Sequence, residues 1–126
     1  MKYDVNLLRD IILTIAQNLE PDEYGYIEEI DTLEFVKIFF KNYKSNEILY
    51  WIRQLMDARI IIPGSKYVDQ PIPQIKDLSL NGYRFVDVTK NPSTWESIKP
   101  KLLDVAINSI PALIEKAISL TTLSSI

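Results

Sequence analysis

A chain of 126 residues, 47% hydrophobic and 25% charged, falls in the range of one globular domain with a core of its own, and outside the range of disordered chains. It has no cysteine and no histidine, which excludes disulfides, thiolate metal sites, and the commonest neutral-pH base and metal ligand. The net charge of −3 argues against wholesale nucleic-acid binding, but it is unevenly spread: −7 over residues 1–36, +4 over 37–66 and neutral thereafter.

The first helix is predicted from Asp4, a good N-cap, and the stripe Leu7, Leu8, Ile11, Ile12, Ile15 and Leu19. Arg9, Asp10, Thr14 and Gln17 fall on the opposite side, and Glu20-Pro21-Asp22 is the expected stop. Arg9 and Asp10 interrupt any apolar leader, and no run approaches the roughly 20 apolar residues that cross a bilayer. A soluble, cytoplasmic protein is therefore expected.

Residues 24–43 carry two conflicting signals. The aromatic and β-branched run from Phe35 to Phe40 favours a strand, whereas Asp31 to Glu34 resembles a capping box and favours a helix. The strand is the preferred reading. The next helix is capped by Ser45, buries Ile48, Leu49, Ile52, Leu55 and Met56, and turns Glu47, Tyr50, Arg53, Gln54 and Asp57 outward, with Trp51 at the boundary. Ile60-Ile61-Ile62 runs into Pro63-Gly64, and residues 63–77, with Pro63, Pro71 and Pro73, read as an irregular hairpin.

Ser79 is the expected N-cap of a short helix holding Tyr83, Phe85 and Val86, with Gly82 in its first turn for close packing and Asn91-Pro92 as its stop. Ser93 or Thr94 starts a further helix containing Trp95, Ile98, Leu102, Leu103 and Val105, with a kink expected at Pro100. Ser109 caps the last helix, whose stripe is Ile110, Leu113, Ile114, Ala117 and Ile118, and the tail "TTLSSI" is expected to fray. That stripe has two readings: packing on the first helix, or pairing two protomers in a homodimer.

Helix, strand, amphipathic helix, two-stranded hairpin and short helix is the order of a winged helix. The fold class expected is α+β, mainly α: one winged-helix-like domain over residues 1–126, with its core at 4–91, a small antiparallel β-wing, and additional C-terminal helices at 93–120. Four stretches, "DVNLLRDIILTI" (4–15), "NEILYWIRQLMDARII" (46–61), "LSLNGYRFVDVTKNPSTW" (78–95) and "SIPALIEKA" (109–117), resemble the domain-of-unknown-function family 2513 of small bacterial, phage and prophage proteins. Three positions depart from the family pattern. Its helix histidine is Trp51 here, its Ala-Gly pair is Ala58-Arg59, and its second histidine is Tyr83. The resemblance implies the fold and carries over no activity.

Without His or Cys, only carboxylate or lysine chemistry remains, and the three glycines form no phosphate-binding loop. The acidic residues Asp22, Glu23, Glu28, Glu29 and Asp31 lack the spacing of a calcium loop and read as solvated charge rather than a metal site. A non-catalytic protein without cofactor or metal is expected, acting through a protein partner and regulating or inhibiting a host system. The alternative is duplex DNA as partner. Lys44, Ser45, Asn46, Tyr50, Arg53 and Gln54 are suited to phosphate and base-edge contacts, and Lys66 and Tyr67 sit where a wing touches the backbone. Glu47 and Asp57 on the same face oppose it.

Overall fold

The computed structural model describes residues 4–102 and 109–124. The first helix, α1 (Val5–Gln17), starts where expected, because the Asp4 carboxylate accepts hydrogen bonds from the Asn6 and Leu7 amides at 3.0 and 3.2 Å. Its apolar stripe is fully used, with Leu8, Ile11, Ile12 and Ile15 all buried. The helix stops at Gln17, ahead of the Pro21 signal, and Leu19 reaches the core from outside it.

The strand expected around residues 35–40 is a helix, α2 (Thr32–Phe39). Asp31 caps it through the Glu34 amide at 3.1 Å, and the buried set Thr32, Phe35, Val36 and Phe40 has helical rather than alternating spacing. The local cap and the shape of the core together outweigh β-propensity, which is a context-dependent preference. The strand character of this region lies just upstream. Ile30 exchanges two backbone hydrogen bonds with Ile75, at 2.8 and 2.9 Å, in an isolated antiparallel bridge.

A short turn leads to α3 (Ser45–Asp57). Its N-cap is Lys44, with no side-chain bond to the first turn, so Ser45 is the first helical residue and not the cap. Ile48, Trp51, Ile52 and Leu55 form the buried stripe, while Leu49 and Met56 are half-buried. Trp51 is thus a core residue and not a boundary one, as its i+3 spacing from Ile48 requires. The end of α3 is a Schellman turn: the Ile60 amide donates to Leu55 O at 2.9 Å and the Arg59 amide to Met56 O at 3.0 Å. This places Arg59 at φ 59°, the left-handed conformation that favours glycine.

Strands β1 (Ile61–Pro63) and β2 (Ile75–Leu78) form an antiparallel hairpin, pairing Ile61 with Leu78 and Ile62 with Asp77, with an irregularity at Ile62/Pro63. Its first strand is the isoleucine run that precedes the expected 63–77, and residues 64–74 form its loop. Ser79 then caps α4 (Leu80–Thr89) through the Gly82 amide at 3.3 Å. Gly82 is required by close packing: a Cβ there would lie 2.9 Å from Ile60 O and 3.1 Å from Leu78 Cβ. Phe85, on the next turn, is completely buried.

Helix α5 (Pro92–Leu102) begins one residue before the expected start. Asn91 is its cap, accepting from the Ser93 and Thr94 amides at 2.9 and 3.2 Å, and Pro92 occupies the first helical position, where its missing N–H costs nothing. Pro100 lies inside the helix; Leu103 and Val105 lie outside the described residues. Ser109 caps α6 (Ile110–Ser124) through the Ala112 amide at 3.3 Å. The helix includes residues 121–124 of the tail expected to fray, and the last two residues of that tail lie outside the described residues.

The architecture is mixed α+β and mainly helical, with one two-stranded sheet among the described residues. Helix α4 is the hub, packing on α1, α5, α6 and β2. Arg9 of α1 crosses this junction: its Nε donates to Thr89 O, the last carbonyl of α4, at 2.9 Å, and its guanidinium stands 5.4 Å from the Trp95 ring centroid. The Trp95 indole N–H donates to Asn6 Oδ1 at 2.9 Å, and its ring meets Phe85 edge-on. One core cluster runs from Val5 to Ala117.

Two substitutions test this backbone reading. Arg59→Gly is expected to stabilise the protein by about 1 kcal/mol in chemical denaturation, by relieving the left-handed strain. Gly82→Ala is expected to destabilise it by about 1–3 kcal/mol despite alanine's better helix propensity, because Ile60 O is backbone and cannot step aside.

Candidate functional site

Two surfaces emerge from this fold. The first is the outward side of α3 together with the loop between β1 and β2. Lys44, Ser45 and Asn46 are exposed at the start of α3, Tyr50 is exposed with its ring edge-on to Trp51, and Gln54 is half-buried. Glu47 shares this surface, half-buried one turn from Lys44. Lys66 and Tyr67 are exposed in the hairpin loop beside Val68, which is wholly exposed.

That loop is held from both sides. At its start the Glu29 carboxylate accepts from the Ser65 amide and, at 3.1 Å, from the Ser65 hydroxyl. Towards its end the Thr32 hydroxyl donates to Pro73 O at 2.6 Å, and Arg53 Nη2 donates to Pro71 O. Arg53 therefore ties α3 to the hairpin, and part of its donor capacity is used inside the chain. The loop tip with Lys66 and Tyr67 is displayed on an anchored base.

The stripe of Ile110, Leu113, Ile114, Ala117 and Ile118 is placed differently. The first four are buried and Ile118 is half-buried, and α6 packs on α4 and α5 of the same chain. The fold uses these side chains as core. The partner helices are α4 and α5, where sequence reasoning expected α1.

The second surface was missed as a site. A groove of about 530 Å³ opens between the end of α1 and α2, with the Ile30–Asp31 backbone beside it. Ile30, Phe35, Ile38 and Phe39 supply its apolar lining, and Glu20, Glu28 and Glu34 stand exposed around it. The acidic residues were visible in the sequence. The apolar lining is not legible there, because a strand over Phe35 to Phe40 places Ile38 and Phe39 on opposite faces, and only a helix turns both towards solvent at its end. Among the described residues, no three carboxylates converge closely enough to hold a metal ion.

The positions that depart from the resembled pattern are also resolved. Trp51 is buried in the core, and Arg59 stands where the helix end calls for glycine. The Tyr83 hydroxyl donates to Asp77 Oδ1 at 2.5 Å, joining α4 to β2. Desolvation of the phenol, followed by that hydrogen bond and the Asp77 charge, pushes the Tyr83 pKa up to about 12.

The geometry is that of a small, mainly helical α+β protein with a hairpin anchored to its third helix and an acidic groove behind it. The chain matches the family described as Hypothetical protein (DUF2513) over residues 2–108, and it belongs to that family. Helix α6 lies beyond the matched region. No curated protein and no solved structure matches the chain. Among the described residues, no helix is long and apolar enough to cross a membrane.

The Tyr83 contact has a defined pH signature. Between the ordinary phenol value of 10.0 and about 12, the unfolded chain gives up this proton while the folded chain keeps it, so its contribution to stability is present below pH 10 and lost as pH rises. The stability difference between the wild type and Tyr83→Phe is expected to shrink across that window in denaturant titrations.

Proposed function

We propose that this chain is a winged-helix-like, non-catalytic binding module whose partner is another protein, through which it regulates or inhibits a host process. The order α1, the Ile30 bridge, α2, α3, β1, β2 parallels a helix-turn-helix followed by a wing, with the Ile30 segment in place of the third strand. The observation that carries the protein-binding reading is the exposed apolar and aromatic surface on and after α2. Ile38 is 59% exposed, with Phe39 and Tyr43 also open to solvent. Solvent-exposed apolar and aromatic side chains clustered at the end of a short helix are what protein interfaces bury, and DNA phosphates have no use for them. Arg53, the best base-reading side chain on α3, is engaged by the hairpin. The lack of His and Cys fits a binding role.

Duplex DNA is the second reading. It is favoured by the exposed Lys44, Ser45, Asn46 and Tyr50 at an α3 N-terminus that no side chain caps, since bare first-turn amides suit a phosphate.

Binding to a labelled random duplex, followed as salt is raised, separates the two. The protein-binding reading expects no salt-steep association, together with a protein captured from nuclease-treated bacterial lysate that is lost in Ile38→Asp. A steep salt slope that flattens by about one unit in Lys44→Ala, and likewise in Arg53→Ala, would move the assignment to DNA.

A further inference from the structure

Ile38 and Phe39 end α2 pointing away from the core, and they border a concave surface rather than a flat one. The rim of that groove has one sign of charge. Glu20, Glu28 and Glu34 are exposed and, among the described residues, make no ion pair, and no basic side chain lines the groove. Its two other carboxylates are already occupied: Glu29 holds Ser65 and Asp31 caps α2. The unneutralised acids and the open apolar lining are separate features that meet in one place. Like charges around an apolar concavity repel one another and keep the lining wet, and both effects are relieved by an occupant that is apolar on one side and cationic on the other.

One end of the groove is extended by an ordered loop. Asp22 Oδ1 accepts from the Tyr24 and Tyr26 amides, both at 2.9 Å, Gly25 takes φ 85°, and Pro21 bridges to Ile27. The loop therefore leaves and re-enters beside Glu20 and Glu28, and it presents Tyr24 and Tyr26 at 78% and 75% exposure. Tyrosines on a fixed loop supply contact area at low entropic cost, which is why they recur at protein interfaces.

We propose that this groove is the docking site for a cationic amphipathic segment of a partner protein. Its apolar side would lie on Ile38 and Phe39, and its Lys or Arg side chains would meet Glu20, Glu28 and Glu34. The proposal rests on the protein-binding reading and adds to it the place of contact and the chemistry of the partner. The groove shares Glu29 with the α3–hairpin face but not Glu28, Glu34 or Ile38, so substitutions at these three alter the groove separately.

The test uses the full chain and two fluorescent synthetic peptides, one with leucines and lysines in helical register and its counterpart with every lysine replaced by glutamate. Anisotropy should show the cationic peptide binding and the acidic one not binding, with affinity falling as salt rises. The double variant Glu28→Lys/Glu34→Lys should weaken binding about tenfold or more, as reversal of two exposed contacts implies. Ile38→Asp should weaken it similarly at unchanged net peptide charge. The charge-matched control Asp87→Lys/Glu115→Lys should leave affinity within about twofold, since both residues are exposed and neither lies at the groove or on the α3–hairpin face. Circular dichroism of each variant checks that α-helix content is retained.

Equal loss in the control, or equal binding of both peptides, overturns the proposal. So does a chain that dimerises in light scattering and becomes monomeric in Glu34→Lys, because the occupant is then a second copy. If neither peptide binds while a protein is still captured from nuclease-treated lysate by Glu28→Lys/Glu34→Lys, the groove assignment falls and the protein-binding reading stands. If the unmodified chain captures no protein either, both fall.

Discussion

The pair of backbone hydrogen bonds between Ile30 and Ile75 is the constraint on which the rest of the arrangement depends. It is a single antiparallel bridge, yet it joins the long connection between α1 and α2 to the second strand of the hairpin. From this point Asp31 starts α2, Thr32 reaches Pro73, and Glu29 reaches Ser65. Glu29, Ile30 and Thr32 thus register the start of α2 against the hairpin, with Asp31 between them capping the helix. Ile30 is half-buried and Ile75 fully buried, so the bridge lies at the core's edge, where an unpaired amide would be expensive.

The same constraint divides the surface in two. On one side the hairpin loop is drawn towards α3 through Arg53, leaving Lys66 and Tyr67 at its tip. On the other, the segment leading into α2 forms one wall of the acidic groove. Glu29 belongs to both surfaces: it lines the groove and holds the hairpin loop. A partner seated in the groove would therefore lie against a residue that positions the loop.

The C-terminal half follows a different logic. Helix α4 is surrounded by α1, α5, α6 and β2, and its fully buried Phe85 meets Trp95. Burial of a phenylalanine contributes on the order of 2–3 kcal/mol by area alone, and the edge-on ring contact adds to this. Arg9 joins the N- and C-terminal halves by binding the α4 terminus while lying against Trp95, so a single side chain satisfies a helix end and covers an aromatic face. The α6 stripe completes this core.

Local chemistry in the sequence determined several elements outright. Asp4, Ser79 and Ser109 cap the helices they were expected to cap, Pro63-Gly64 and Pro71/Pro73 bound the loop of the hairpin, and Gly82 marks a close approach. These features depend on a few neighbouring residues, so they can be read without the rest of the chain. Tertiary structure tipped the balance towards a helix over residues 32–39: the Asp31 cap favours it, but the run from Phe35 to Phe40 suits either state until the core selects the spacing of Thr32, Phe35 and Val36. It also decided that the Ile110–Ile118 stripe is core, that Arg53 belongs to the hairpin, and that scattered acids and two apolar side chains share a groove. Each of these is a contact between residues far apart in sequence, where periodicity carries no information about partners.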